Sequence, residues 1–583
     1  WSARVQPHPW GFIFEWLFLV LLYVFISQLS GLHWLATLLT GIISNVPGTV
    51  TYFKLEMRGE PFLPWDITQV GDFAGVAGKV ELDIQPTMLW TLAIFLELLA
   101  ASCFLRMPYR KETRWRWRIG SAAVSGFLWC LLVFGVYLNA SMCEFFGIYS
   151  DMWMQDRYYK NYGVITGFMT NLQVLDIEAP ENYSEKSVLE LAARVEETAE
   201  TAKPLYKESS TADAPEQRPN IIFVMNESFW DASRLEGISY DRELTPNLTA
   251  LKNEAAYGYC YTPSFGGGTC DVEFEALTGF SVEHLPAGSK PYQQHVTHDM
   301  FSLPQYLRAQ GYDTLAVHGY YRKFWSRNTA YPYLGFNEFI AAEDFVNPHT
   351  RRGFISDAAM TQRIIEEYEA RDGGAPLFIH AVTMQNHTTY DASRYAADEL
   401  VKITEHPGLS TQTLSQLQDF ATGVYEADAA LGALVDYFRN VDEPTIIVFW
   451  GDHFNPVGKG YELFEKTGYI EKGDTGSPDL HRTDLMIWSN YGGASIDLGT
   501  IAAYDISPVM MDLYGLEKPL LFEYLTDSLS VMRARTRGVT VETDGSFSEE
   551  MTEAQRQCYD GHWLLQYDLM FGKPYLEDYT PQE

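Results

Sequence analysis

Residues Gly11 to Leu29 form a nearly uninterrupted apolar run, and nothing else in the chain limits its fold so sharply. Such a run crosses a hydrocarbon core of about 30 Å as a helix, because lipid offers the backbone no partner and a helix satisfies its own groups. Three further runs follow, at Leu32 to Phe53, Thr87 to Leu105 and Ile119 to Leu138, the second weakened by Asn45, Pro47 and Gly48. A signal peptide would be one short run with a small-residue cleavage site, so four runs predict a helical membrane domain over residues 1–142. Glu15 and Glu97 interrupt the runs. An acid within a span is a candidate functional group, although an interfacial place for Glu15 and a helix-facing one for Glu97 serve equally well.

Orientation follows from charge. Arg106, Arg110, Lys111, Arg114, Arg116 and Arg118 crowd the link between the third and fourth runs. The positive-inside rule puts that link in the cytoplasm and everything after Leu138 outside. Trp1 is then also outside, and we expect one earlier span upstream of it. The net charge of −34 and pI of about 4.7 exclude nucleic-acid binding and charge-driven adhesion to anionic lipid. None of the six cysteines shows zinc-site spacing. Cys260 and Cys270 flank a glycine loop, where a disulfide and two free thiols are both open.

Residues 143–218 read as a juxtamembrane segment rich in aromatics (Phe145, Phe146, Trp153, Tyr158, Tyr159), an amphipathic helix over Ser184 to Thr201, and a polar linker with Pro204 and Pro215. The pattern then changes. Ile221–Met225, Thr314–Val317, Leu377–Val382 and Thr445–Trp450 are short β-branched runs, separated by helical stretches at 302–310, 356–372 and 411–440. This alternation predicts an α/β domain with a mainly parallel sheet over 219–530, followed by a C-terminal extension over 531–583. Ligands of such sheets gather beyond the C-terminal strand ends.

What lies at those ends is chemically suggestive. The first strand runs into Asn226-Glu227-Ser228 and the last strong one into Gly451-Asp452-His453. Two carboxylates and an imidazole, without thiolate, suit a divalent cation such as Mn²⁺, Mg²⁺ or Zn²⁺. The stretch Ser264-Phe265-Gly266-Gly267-Gly268-Thr269 opens a helix, whose N-terminus favours a phosphate and offers Thr269 as a nucleophile. His318 and Arg327 follow another strand, and Asn386-His387 a third. Arg327 can grip phosphate, the histidines can bond it or protonate a leaving alkoxide, and Trp325 can cover a glycerol or sugar.

Taken together these motifs resemble the lipoteichoic acid synthase family, within the alkaline phosphatase and sulfatase superfamily. The likeness rests on Asn226-Glu227-Ser228, the glycine loop with Thr269-Cys270-Asp271-Val272-Glu273-Phe274, His318-Gly319, Phe324-Trp325-Ser326-Arg327, Asn386-His387, Gly451-Asp452-His453, Arg482-Thr483 and Asp505-Ile506-Ser507-Pro508. It implies a transmembrane helical domain carrying an extracellular sulfatase-like domain. It also implies one Mn²⁺-like ion on Glu227, Thr269, Asp452 and His453, with His318, Trp325, Arg327 and His387 lining a phosphoglycerol site. Thr269 would take glycerol phosphate from phosphatidylglycerol and pass it to a glycolipid or polyglycerol-phosphate acceptor in the cell envelope. Two departures stand out: Tyr320 where relatives often carry a polar or acidic residue, and Cys270 where serine is common. Phosphoethanolamine transfer is a rival with the same threonine chemistry. A sulfatase activity would need a C-x-P-x-R type motif, and Cys270 is followed by Asp271-Val272-Glu273-Phe274 instead. A silent glycan-binding membrane protein would be expected to have lost one of the four site residues.

Overall fold

The computed structural model describes residues 8–58, 61–67, 86–105, 114–149, 155–175, 177–201, 205–206, 215, 217–286, 289–371, 373–492 and 495–576. Two compact units emerge, residues 1–177 with 286–289, and 178–285 with 290–583. The basic link at 106–113, Trp153 and most of the linker at 203–218 lie outside the described residues.

In the first unit all four apolar runs are helices: α1 (Pro9–Ser30), α2 (His33–Arg58), α3 (Pro86–Phe104) and α4 (Arg114–Leu132). Two stretches, Pro9–Ser30 and Trp115–Tyr137, are long and apolar enough to cross a bilayer, and Met88–Phe104 is a shorter apolar helix. Their outer faces carry bare Trp16, Trp90, Phe127 and Phe134, surface that suits lipid rather than water. Arg118 bonds the Gln28 carbonyl at 2.9 Å, satisfying an orphan acceptor in the last turn of α1.

Glu15 has a structural task. Two short helices follow, α5 (Gln155–Tyr162) and α6 (Val164–Asn171), and Glu15 Oε1 accepts from the Ile165 amide at 3.0 Å. A carboxylate there neutralises the first-turn N–H groups of α6. Lys54 and Asp66 form a buried pair at 2.6 Å, and Asp66 also accepts from the Leu63 amide.

The second unit is built on an eight-stranded sheet: β1 (Asn220–Asn226), β2 (Ala256–Tyr261), β3 (Asp313–His318), β4 (Glu338–Ile340), β5 (Leu377–Val382), β6 (Thr445–Gly451), β7 (Arg482–Ser489) and β8 (Ile496–Ala502). Their order is β8-β2-β7-β6-β1-β5-β3-β4. Only β7 runs against its neighbours, so the sheet is mainly parallel, as the strand–helix alternation predicts.

Side chains alternate between two cores. Ile221, Phe223 and Met225 of β1 join the helices on one face, while Ile222 and Val224 join those on the other. The first face receives α7 (Glu185–Thr201) through Val188, Leu191, Ala192 and Val195, an i, i+3, i+4, i+7 pattern that forms one helical stripe. It also receives α8 (Thr269–Thr278), in which every residue is buried. On the second face lie α9 (Asp357–Ala370) and α10 (Thr411–Arg439). Near the chain's end α11 (Glu553–Met570) reaches α8: His562 Nε2 bonds the Gly279 carbonyl at 2.8 Å, and Gln566 bonds both backbone groups of Ser281.

Candidate active site

Register explains why distant residues meet. Asn226 of β1 stands opposite Gly451 of β6, Met225 opposite Val382 of β5, and Val382 opposite His318 of β3. Four parallel strands therefore end at one level, and the residues that follow them share one edge. Gly451 is required there, since a Cβ would lie 1.8 Å from the Phe229 carbonyl oxygen.

At this edge Glu227, Asp452 and His453, all buried, bring their ligand atoms within 4.8 Å of one another. His453 Nε2 lies 3.2 Å from Asp452 Oδ2 and 4.0 Å from Glu227 Oε1. Its Nδ1 is 3.1 Å from the Phe454 carbonyl, which fixes the proton on Nδ1 and turns the Nε2 lone pair toward the carboxylates. Asp452 Oδ1 accepts from the amides of Ser228 and His453 at 2.7 and 2.8 Å, while Asp452 Oδ2 and Glu227 Oε2 are buried without a hydrogen-bond partner. Burial, with the Asp452 charge beside it, pushes the Glu227 carboxyl up to about 8. Unpaired buried carboxylate oxygens are costly. A divalent cation among them removes the cost, and the oxygen-rich donor set with one imidazole fits Mn²⁺, Mg²⁺ or Zn²⁺.

The glycine loop is pinned to the same place. Phe265 pairs with Phe454, and the Gly266 amide donates to the Phe454 carbonyl at 2.7 Å, just past His453. Gly266, Gly267 and Gly268 take φ of 74°, 141° and 88°, a path that side chains disfavour. The loop delivers Thr269, 5 % exposed, as the first residue of α8. Cys260 and Cys270 are buried free thiols, and all six cysteines are unpaired.

His318 and Arg327 are brought together in full burial. His318 Nδ1 lies 3.1 Å from the Val382 carbonyl and Nε2 3.3 Å from Arg327 Nη1, so Nδ1 donates and Nε2 accepts. Burial and the neighbouring guanidinium hold this histidine neutral, far below its ordinary titration range. Arg327 gives Nε and Nη2 to Glu273 Oε2 at 3.1 and 2.7 Å and Nη1 to the Phe324 carbonyl at 3.2 Å as well as to His318, so most of its donors are taken within the chain. Trp325 is half-buried at φ 57°, with Lys290 Nζ 5.8 Å from its ring centre. His387 is half-buried and Nδ1 bonds the Thr388 carbonyl at 2.7 Å; burial lowers its pKa against the opposing pull of Asp452.

Several positioning residues escape a reading of the sequence. Glu273, four residues after Thr269, also accepts from the Tyr331 hydroxyl and lies 3.5 Å from His380 Nε2. Lys290 pairs with Asp271 in the same helix. Arg352 holds the His387 loop by donating to the Gln385 and Thr389 carbonyls at 2.6 and 2.9 Å, with Nε 2.6 Å from Asp419. Ser228 Oγ donates to Glu227 Oε1 at 2.6 Å, and Asn455 bonds both Ser228 and Tyr390. One signal was available: Asp271, Glu273 and Glu275 sit in a helix opening between apolar residues, and acids buried there need partners.

A sulfatase family model matches residues 219–516, the sheet and the edge just described. The chain belongs to the sulfatase family. A family relative from Rhizobium meliloti, whose name assigns it provisionally to cyclic β-1,2-glucan modification, is 30 % identical over 576 residues, covering 94 % of this chain and 84 % of that protein. The lipoteichoic acid synthase of Staphylococcus saprophyticus is 26 % identical over 326 residues, 54 % of this chain and 48 % of that protein, so the chain spans about half of that relative's length. Among solved structures, the Streptococcus pyogenes phosphoglycerol transferase GacH in complex with sn-glycerol-1-phosphate aligns with a TM-score of 0.58 at 21 % identity. That match covers 69 % of this chain and 97 % of the other, and shows an alkaline phosphatase-like fold. With transferases among its sulfatase-family relatives, the protein is a membrane phosphotransferase of this superfamily.

Proposed function

We propose that the protein moves glycerol phosphate from phosphatidylglycerol to a glycan of the cell envelope. The observation that carries this reading is Thr269 at the start of a buried helix, on a loop pinned beside Glu227, Asp452 and His453. The Rhizobium relative's association with a glucan directs the acceptor toward a glycan rather than a polyglycerol phosphate.

Glu227, Asp452, His453 and Thr269 would hold one divalent cation, most simply Mn²⁺, which when bound neutralises phosphate oxygens and acidifies a hydroxyl. The chain's own groups supply the rest. Thr269 Oγ attacks phosphorus while the bond to diacylglycerol oxygen breaks. The amides opening α8 favour the phosphate's charge. Arg327, held by Glu273 and by the neutral His318 that accepts from it, would bring a fixed positive charge to the phosphate. The proton that the Thr269 hydroxyl gives up is matched by one that His387 would relay to the leaving diacylglycerol oxygen, since its ring is half-exposed whereas His318 Nε2 already accepts from Arg327. In the second half an acceptor hydroxyl attacks the same phosphorus and gives up its proton through His387, while the bond to Thr269 oxygen breaks and that oxygen recovers a proton.

Diacylglycerol stays in the bilayer, which gives the membrane helices a purpose. Four spans, with the basic link inside and residues 219–530 outside, fit that role. The test is release of labelled diacylglycerol from phosphatidylglycerol by the full chain, abolished by chelation or by His453→Ala and restored to the wild type by Mn²⁺. Release of diacylglycerol from phosphatidylethanolamine but not phosphatidylglycerol would instead assign phosphoethanolamine transfer.

A further inference from the structure

Between the two histidines of the site runs a continuous aromatic wall. Phe324 lies parallel to His318, their rings 6.3 Å apart and 14° from coplanar. Tyr320 meets Phe324 at 5.1 Å, Tyr321 at 4.6 Å and Phe354 at 6.1 Å, and Phe354 meets His387 at 5.7 Å. The sheet does not bury this wall: Tyr321 is 61 % exposed, and Tyr320 and Phe354 are half-buried. Among the described residues nothing hydrogen-bonds the Tyr320 or Tyr321 hydroxyl. Aromatic faces with free polar tips beside a catalytic histidine are binding surface rather than core.

Charge selects the class of ligand. The Arg322 guanidinium, beside Tyr321, is paired with Asp344 while its backbone amide donates to Glu343, and Lys323 is engaged within the chain. The chain as a whole carries −34, so a polyanionic acceptor would be repelled on approach. A neutral pyranose meets no such barrier, and its axial C–H face packs on aromatic rings while its hydroxyls reach phenols.

We propose that Tyr320, Tyr321 and Phe354 form an acceptor subsite that seats a neutral glucan ring beside His387, with one sugar hydroxyl directed at the phosphate on Thr269. This rests on the glycerol-phosphate transfer reading and adds the acceptor's place and class. Loss of one aromatic contact weakens such binding by roughly tenfold.

The experiment uses the full chain in nanodiscs with labelled phosphatidylglycerol, and neutral cyclic β-1,2-glucan or poly(glycerol phosphate) as acceptor. Tyr321→Ala and Phe354→Ala, checked for unchanged melting, should raise KM for the glucan roughly tenfold each and leave glucan-free diacylglycerol release within about twofold. Unchanged KM in both variants overturns the proposal. So does an equal fall in glucan-free release, which would give the wall to the lipid donor, and so does transfer to poly(glycerol phosphate) alone. If the wild type releases no diacylglycerol at all, the transfer reading fails. Equilibrium binding of the glucan, lost in the variants or indifferent to them, then decides the subsite separately.

Discussion

Replacing Glu273 by alanine strips a fully buried guanidinium of its counter-charge. Glu273 and Arg327 are both 0 % exposed, with Nη2 2.7 Å from Oε2 and the Tyr331 hydroxyl on the other oxygen. Removing one member of such a pair costs about 3–5 kcal/mol. At about 2 °C per kcal/mol for a large domain, the melting temperature should fall by about 6–10 °C. Activity should fall further than stability explains, because Arg327 Nη1 and the His318 ring it faces lose their orientation; a drop of about 10–100-fold in diacylglycerol release at 20 °C is expected. The double variant Glu273→Leu with Arg327→Met, with no charge left to strand, should recover most of the stability and none of the activity. Burial alone would raise the Glu273 carboxyl, yet Arg327 and His380 hold it well below the ordinary carboxylate range. The pair's contribution is therefore present above that range and lost only in stronger acid. A melting shift under about 2 °C for Glu273→Ala, or a double variant no more stable than the single one, would refute the argument.

Asp357 gives the opposite pH behaviour: burial pushes its carboxyl up to about 7 against help from Asn226 and Thr383, so wild-type stability should decline as pH rises from about 4 to about 7. Asp357→Asn should flatten that decline and be more stable at pH 8 by up to about 4 kcal/mol, measured by denaturant titration at several pH values; a parallel pH profile would contradict it. Arg352→Ala should raise the mobility of the His387 loop and lower kcat by about tenfold with little change in metal affinity, read by kinetics and Mn²⁺ titration, since Arg352 touches carbonyls on either side of His387 and Asp419 but none of Glu227, Asp452 and His453. In a background without native cysteines, a membrane-impermeant thiol reagent on intact cells should label a cysteine at Ser210 and spare one at Thr113. The reverse pattern would place the sulfatase-family domain inside.

Much of the fold was legible because burial leaves a plain mark. The β-branched runs ending at Met225, Val317, Val382 and Trp450 became β1, β3, β5 and β6, and the amphipathic stretch over Ser184 to Thr201 became a helix. Strand β2 was not legible: Ala-Tyr-Gly-Tyr-Cys-Tyr has a glycine at its centre, and its strand character comes from pairing with β7 and β8. Glu227, Asp452 and His453 could be guessed together because each follows a strand end, and register does bring those three into one cluster. What sequence could not supply was the partner of each charge. Arg327 looks like a free phosphate hook until Glu273 is found 54 positions earlier in the chain, and Glu15 looks like a functional acid until the Ile165 amide is found on it. Such pairings are decided by tertiary packing, not by local pattern.

The central claim is a covalent one, and it is tested most directly by trapping the intermediate. The full chain, loaded with Mn²⁺ and given phosphatidylglycerol without acceptor, is quenched in acid, digested and analysed by mass spectrometry. The peptide spanning Ser264 to Glu275 should carry the mass of glycerol phosphate less water, fragmentation should assign it to Thr269, and Thr269→Ala should show neither the adduct nor diacylglycerol release. Diacylglycerol released in stoichiometric excess with Thr269 unmodified at every quench time, or a Thr269→Ala protein that turns over normally, would contradict the account.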